Sequence, residues 1–154
     1  LEMFESIKSV SLALIITGLV LLLSNLASKR NENINLKKGL FIGLAQACPI
    51  IPGISRSGMT ISAALISGVS NKEAAKFSFL LAIPAILGAI IVTALDIRYE
   101  FASTIWLPIV ITSVTAFISG YYALKILIKL LESGKFYYFA YYCLLLGLIT
   151  LIIT

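Results

Sequence analysis

Long uncharged apolar stretches alternate with short polar segments along this chain. A bilayer core of about 30 Å needs roughly 20 apolar residues per helix, and four stretches come close to that length. They run from Ser9 to Ser28, Phe77 to Leu95, Phe101 to Leu124 and Phe136 to Thr154. The pattern predicts four transmembrane helices. The first stretch lacks a basic start and a small-residue cleavage site, so we interpret it as a mature helix and not as a signal peptide.

The apolar segment from Gly39 to Ser70 is too long for one ordinary span, and it is broken in its middle by Pro49, Pro52 and Gly53. Two half-helices joined by a loop are the natural interpretation, since proline interrupts a helix. Irregular backbone at membrane depth is tolerated only where protein or water satisfies its polar groups. The pattern therefore predicts a re-entrant helix-loop-helix hairpin over about residues 39–70.

The basic residues distinguish a re-entrant hairpin from one that crosses the membrane, because cytoplasmic loops are enriched in Lys and Arg. A crossing hairpin would divide these residues almost evenly between the two sides. A re-entrant hairpin leaves only Lys8 and Arg98 outside, and it puts the following residues in the cytoplasm: Lys29, Arg30, Lys37, Lys38, Lys72, Lys76, Lys125, Lys129 and Lys135. We therefore expect a multi-pass plasma-membrane protein with both termini and the Asp96 to Glu100 loop outside.

Composition agrees with a membrane protein: 60% of the residues are hydrophobic and 12% are charged, too few to cover a soluble domain. The net charge of +5 is spread over short loops, which argues against nucleic acid as a partner. Cys48 and Cys143 stand alone and histidine is absent, so we expect no thiol or imidazole metal site. The predicted fold class is an all-α integral membrane protein, one domain over residues 1–154 with four transmembrane helices and one re-entrant hairpin.

Arg56 is the residue that most strongly suggests a function. An arginine deep in a bilayer costs about 2.5–3.5 kcal/mol on insertion scales, so it normally faces a protein or water-filled interior. Guanidinium groups and the amides of a helix start both bind phosphate oxygens, and potential donors surround this arginine: Gly53, Ser55, Ser57, Gly58 and Thr60. The pattern predicts a site for phosphate or diphosphate. The alternatives are an ordinary loop arginine and serines that only cap a helix, with Ser57 as the N-cap.

The stretch from Gly43 to Ser62 contains the core P-G-x-S-R-S-G-x-T at residues 52–60. It resembles the second signature of the undecaprenyl-diphosphate phosphatase family, also called bacitracin-resistance proteins. The segment from Glu73 to Pro84 is also similar to this family, and the resemblance extends over roughly Lys37 to Ile153. It implies two inverted repeats, each with a re-entrant hairpin, and hydrolysis of a polyprenyl diphosphate that recycles the lipid carrier of cell-wall synthesis.

For the site, the resemblance implies that Arg56 holds the diphosphate, that Ser55 contacts it or acts on it, and that Ser57 and Thr60 complete the donor shell. Gln46 occupies the place where the family's other repeat has an acidic residue. A hydrogen bond to a neighbouring helix is the alternative role for Gln46.

The family's first signature, a Glu-containing stretch followed by S-S-x-G-H, is missing. The family's carboxylates are associated with a divalent metal, Mg or Ca, so we expect its ligands outside this chain and none within it. Because the chain also begins with Leu1, we expect the carboxy-terminal half of a longer protein, with an acidic amino-terminal half as partner and a homo-oligomer left open. A transporter or flippase of an anion or lipid phosphate, and an inactive structural half-subunit, are the alternative functions.

Overall fold

The fold is built from helices alone in the part of the chain that the computed structural model describes, residues 7–27, 31–96 and 106–153. One isolated bridge joins Glu32 and Val69, and these segments contain no β-strand. The elements are α1 (Ile7–Leu26), α2 (Leu36–Ala45), a short 3-10 helix (Cys48–Ile50), α3 (Arg56–Ile66), α4 (Asn71–Asp96), α5 (Trp106–Glu132) and α6 (Tyr137–Ile153).

The helix lengths confirm an all-α membrane protein. Three helices, α1, α4 and α5, are long and apolar enough to cross a bilayer. The last helix, α6, is apolar but has 17 residues, which is at the lower limit of about 17 for a span. The number of crossings therefore stays a prediction. Residues 97–100 of the predicted outer loop, and the predicted start of the third span at Phe101, lie outside the described residues.

The two ends of the α2–α3 hairpin lie side by side. The Glu32 amide, just before α2, donates to the Gly68 carbonyl, just after α3, over 2.9 Å. Asn35 caps α2 by accepting from the Lys38 amide at 3.0 Å. At the other end of the hairpin, Gly68 has φ +82° and closes α3 with the 6→1 and 5→2 bonds of a Schellman motif. The chain therefore returns from this hairpin to the place where it entered.

The start of α4, the end of α5 and the start of α6 lie close to these two ends of the hairpin. Asn71, the first residue of α4, donates from its side-chain amide to the carbonyl of Leu131 in the last turn of α5 at 2.6 Å. The Ser70 hydroxyl accepts from the Glu73 amide at 3.4 Å and so caps the start of α4. A second Schellman motif at Gly134 (φ +69°) leads from α5 into α6. A small cavity at this junction is lined by Ser24, Asn25, Ala27, Leu65, Val69, Asn71, Gly134 and Phe136.

The packed core includes buried side chains of α1, α3 and α6. Helices α1 and α6 make the closest pair: a Cβ on Gly147 would lie 2.9 Å from the Ser11 carbonyl oxygen, and one on Gly18 would lie 2.7 Å from Leu144 Cγ. The Ser11 hydroxyl donates to Thr150 Oγ1 at 2.8 Å across the same interface. By contrast, α4 from Ile83 to Leu95 and most of α5 are exposed. Helix α1 is thus fixed from one side by α6, and its other face contacts α3.

Candidate functional site

The loop before α3 begins with a tight turn. Pro52 occupies the second position of the turn, Gly53 the third with φ +94°, and the Ile54 amide donates to the Ile51 carbonyl at 3.2 Å. A proline followed by a glycine with positive φ is the signature of a type II turn. The turn reverses the chain after the 3-10 helix and directs it into α3.

Gly53 also lets this turn approach α1 closely. A Cβ at this position would lie 2.8 Å from the Val10 carbonyl oxygen and 2.9 Å from the Ala13 Cβ. Positive φ already disfavours any residue with a side chain. The loop is therefore held against the backbone of α1 by a contact that only glycine permits.

Ser55 is the N-cap of α3. It has φ −71° and ψ 119°, and its hydroxyl accepts from the Gly58 amide at 3.1 Å. The alternative prediction that Ser57 is the N-cap is wrong, because the helix already begins at Arg56 and places Ser57 in its first turn. Among the described residues, the amides of Arg56 and Ser57 have no acceptor, as is usual for the first turn of a helix.

Thr17 of α1 holds Ser55 in place through the Ser55 backbone amide. Its Oγ1 accepts from the Ser55 amide at 3.2 Å and donates to the Ala13 carbonyl at 2.9 Å. Thr17 is fully buried. Sequence reasoning missed this residue. Its only signal was a hydroxyl within an apolar helix, which also fits a contact between helices.

Whereas Ser55 contacts α1, the Arg56 side chain contacts α4. Its Nη2 donates to the Leu81 carbonyl at 3.1 Å, three residues before Pro84. The proline removes an amide from that part of the helix and weakens its hydrogen bonding there. Arg56 is half-buried, and no Asp or Glu among the described residues pairs with it. Within the described segments, no carboxylate therefore balances the positive charge of this site.

Thr60 lies one turn further along α3 and contacts α4. It is 1% exposed, its hydroxyl donates to the Arg56 carbonyl at 3.0 Å, and it shares a 2.6 Å hydrogen bond with the Ser78 hydroxyl. Both partners are protein groups, and the hydrogen bond with Ser78 links α3 to α4. Its predicted contact with an anion stays a prediction.

Gln46 ends α2 on the other side of the loop. Its backbone amide donates to the Ile42 and Gly43 carbonyls, each at 3.1 Å. Its side-chain Oε1 is shielded from solvent and has no hydrogen-bond partner among the described residues. The predicted alternative, a hydrogen bond to a neighbouring helix, is therefore not seen for this atom.

The residues around the loop do not fit a divalent metal. Mg and Ca require oxygen ligands, with carboxylates prominent among them. The described residues contain no group of three or more His, Cys, Asp or Glu side chains that could hold an ion. Near Arg56 the described side chains offer hydroxyl oxygens, which are neutral and do not balance the charge of a cation, and the guanidinium has no acceptor atom. Glu2, Glu5 and Glu100 lie outside the described residues.

Comparison with known sequences decides the family. A family profile described as "Bacitracin resistance protein BacA" matches residues 1–149. The chain belongs to this family. Undecaprenyl-diphosphatase 3 of Bacillus anthracis is 38% identical over 154 residues, covering 98% of this chain and 57% of that protein. The undecaprenyl-diphosphatase of Halothermothrix orenii is 41% identical over 156 residues, covering 99% of this chain and 60% of that protein.

A third relative is similar to this chain over a shorter stretch. The undecaprenyl-diphosphatase of Methanobrevibacter smithii is 45% identical over 141 residues, covering 88% of this chain and 50% of that protein. The chain thus spans between half and three fifths of the length of these relatives. Their names describe a diphosphatase, and they give no support to the transporter or inactive-subunit interpretations.

Proposed function

We propose that this chain supplies the phosphate-binding loop of an undecaprenyl-diphosphatase, which hydrolyses undecaprenyl diphosphate to undecaprenyl phosphate and inorganic phosphate. The observation that carries the proposal is the half-buried Arg56 at the start of α3, which has no carboxylate partner among the described residues. A partly buried cation without a counter-ion is costly. A diphosphate would balance it, and membership of the BacA family makes that ligand the natural choice.

Arg56 and the start of α3 would bind the phosphate oxygens together. A guanidinium has five N–H donors in a planar fork, and one nitrogen here is engaged with the Leu81 carbonyl. The remaining donors can pair with two oxygens in a bidentate manner. The unpaired amides of Arg56 and Ser57 add the anion-binding capacity of a helix start.

Ser55 would act as a donor to the bound phosphate. Its hydroxyl oxygen already accepts from the Gly58 amide, so its own proton is left to donate to a phosphate oxygen. A serine nucleophile needs a neighbouring base, and none of the contacts of Ser55 provides one. We therefore assign Ser55 to binding. Gln46 ends α2, Gly53 forms the turn, and Ser57 and Gly58 lie in the first turn of α3. We assign these four residues to the donor set or to its support.

Attack on the phosphoanhydride would depend on groups beyond this loop. Phosphoryl transfer passes through a loose transition state and mainly requires charge neutralisation and an in-line nucleophile. Arg56 and the amides at the start of α3 would neutralise charge on the phosphate oxygens. We assign the activation of water, and any bound Mg or Ca, to acidic residues elsewhere in the whole protein. A partner half or a second copy of the chain could contribute them.

The hairpin would reach the middle of the membrane and return. Leu81 lies ten residues after the start of α4, which is about 15 Å along the helix and about half of a 30 Å bilayer core. If α4 begins at the cytoplasmic surface, Arg56 lies near the midplane, open towards the outer side. A cysteine in the 97–100 loop should then react with an impermeant thiol reagent added outside, and one at Lys72 should not. Reaction at Lys72 alone would remove the re-entrant topology.

The function is tested by Arg56→Ala and Arg56→Lys in the purified whole protein, with release of inorganic phosphate from a polyprenyl diphosphate as the readout. Removing a group that stabilises transition-state charge costs about 10²–10³ in rate. We expect such a loss for alanine and a partial loss for lysine, which has the charge but not the fork. Lys38→Ala, which removes an exposed ion pair with Glu32 at 2.6 Å, should leave the rate unchanged. Undiminished phosphate release by Arg56→Ala would refute the proposal.

A further inference from the structure

A long groove runs between α4 and α5 outside the Arg56 loop. Its volume is about 370 Å³, and its apolar walls are Phe79, Leu80 and Ile83 of α4 and Ile128 of α5. Lys72 and Lys76 line one end. None of the residues assigned to diphosphate binding lines this groove, so the proposed function leaves it unexplained.

A polar cavity adjoins the basic end of the groove. It has a volume of about 310 Å³ and is lined by Asn31, Ser70, Asn71, Lys72 and Glu132. Lys72 and Glu132 line both spaces. The two spaces are therefore neighbours, a polar one beside an apolar one, and this pairing suits an amphiphile with a head and a tail.

The length of the groove matches one leaflet of a bilayer. Lys72 and Ile83 are eleven residues apart in α4, which corresponds to about 16 Å along the helix axis. Half of a 30 Å hydrocarbon core is about 15 Å. An acyl chain with its head at Lys72 would therefore end near the depth of Ile83, so the apolar compartment fits one chain of a membrane lipid.

The charges indicate which lipid head the site prefers. Lys72 and Lys76 are four residues apart and so lie on the same face of α4. No carboxylate among the described residues pairs with either of them, whereas Lys38 at the other side of the hairpin is paired with Glu32. The start of α4 adds a partial positive charge. Glu132 contributes one negative charge to the lining, and the site remains net positive.

We propose that this groove binds an anionic glycerophospholipid, with its phosphate at Lys72 and Lys76 and one acyl chain along Phe79, Leu80 and Ile83. This lipid is a bound partner of the protein and is not hydrolysed. The prenyl chain of a substrate and another segment of polypeptide are the competing occupants. Basic pockets between membrane helices are known sites for such lipid heads, and here the attached groove adds a place for the tail.

The experiment measures lipid binding and does not depend on hydrolysis, so its failure would leave the proposed function standing. The purified whole protein, in a neutral detergent, is incubated with a phosphatidylglycerol that carries a photoreactive group on one acyl chain. After illumination, labelled peptides are identified by mass spectrometry. We expect labelling within Phe79–Ile83 and at the turn of α5 that contains Ile128, and competition by unlabelled phosphatidylglycerol.

Matched variants test the role of the lysines. Lys72→Gln with Lys76→Gln should reduce labelling on the order of tenfold, because each lysine near an anionic lipid contributes severalfold to binding. Lys125→Gln with Lys129→Gln removes two exposed lysines with the same spacing from α5, neither of which lines the groove, and should change little. Glu132→Gln should increase labelling because it removes a repulsive charge. Thermal unfolding of each variant checks that the fold is retained.

Three outcomes would overturn the proposal. Equal labelling of the two double variants would show that the head is not bound by Lys72 and Lys76. Competition by neutral diacylglycerol as strong as that by phosphatidylglycerol would show a groove that accepts any acyl chain. Stronger competition by undecaprenyl phosphate would assign the groove to the prenyl chain of the substrate.

Discussion

Replacing Thr17 by valine tests whether α1 fixes the geometry of the loop that we propose binds phosphate. Valine has nearly the shape of threonine, so the buried contacts of α1 should persist. The substitution removes the oxygen that accepts from the Ser55 amide at 3.2 Å. It also removes the donation to the Ala13 carbonyl, which is a helix carbonyl with its own backbone partner. The essential loss is therefore the acceptor for one amide at the start of the loop.

The size of the effect follows from that lost acceptor. A buried amide without a partner costs about 1–3 kcal/mol. The loop can avoid this cost by shifting until the Ser55 amide finds another acceptor. The loop geometry that would bind the diphosphate then becomes a minor state. Apparent affinity falls in proportion to the competent fraction, so kcat/KM should fall by about 5–150-fold for that range of energies. High substrate concentration should recover most of the rate, because the ligand selects the original geometry.

The assay is phosphate release over a range of polyprenyl diphosphate concentrations, together with the thermal unfolding midpoint. Ser11→Ala is the matched control: Ser11 is as buried as Thr17, lies on the same helix and donates to its own i−4 carbonyl, but its long-range partner is Thr150 of α6. Thr17→Ser keeps the oxygen and should restore kcat/KM. Equal losses of kcat/KM in Thr17→Val and Ser11→Ala, or no restoration by serine, would show that Thr17 only stabilises helix packing.

Two further substitutions examine the loop itself. Gly53→Ala should destabilise the protein by more than about 1 kcal/mol, since it combines a positive φ with a Cβ only 2.8 Å from a backbone carbonyl of α1; a thermal midpoint equal to wild type would contradict this. Ser55→Ala should cost about 0.5–2 kcal/mol through loss of the N-cap, whereas Ser57→Ala should leave the midpoint unchanged and weaken only diphosphate binding. A larger loss of stability in Ser57→Ala than in Ser55→Ala would show that the cap is misassigned.

Sequence patterns predicted the fold class and the broken segment well, because both depend on local signals. Two prolines and a glycine spaced this closely are unfavourable in a helix interior, and Pro49, Pro52 and Gly53 lie between the end of α2 and the start of α3. The number of spans was harder to predict. Apolar length alone cannot separate a full span from a helix such as α6, whose 17 residues are at the limit.

The contacts that orient the site could not be predicted, because their partners are distant in sequence. Thr17 and Ser55 are 38 residues apart, and Arg56 and Leu81 are 25 residues apart. In both pairs one partner is a backbone group, which leaves no signal in the residue type. The cap was misassigned for a related reason: Ser55 and Ser57 are equally good N-caps by composition, and only the position of the turn at Gly53 decides between them.

The contacts of Arg56 indicate which further groups would be required to balance its charge. Helix α1 holds the amide of Ser55, and α4 holds the guanidinium through one carbonyl dipole. These contacts fix the direction of the charge, but a single carbonyl does not neutralise it, and a partly buried charge without a counter-ion is costly. The arrangement is thus stable with an anion present or with carboxylates close by. A diphosphate together with acidic residues supplied from outside this loop would satisfy both requirements. Such carboxylates would be able to hold a divalent metal, whose positive charge would help to neutralise the phosphate.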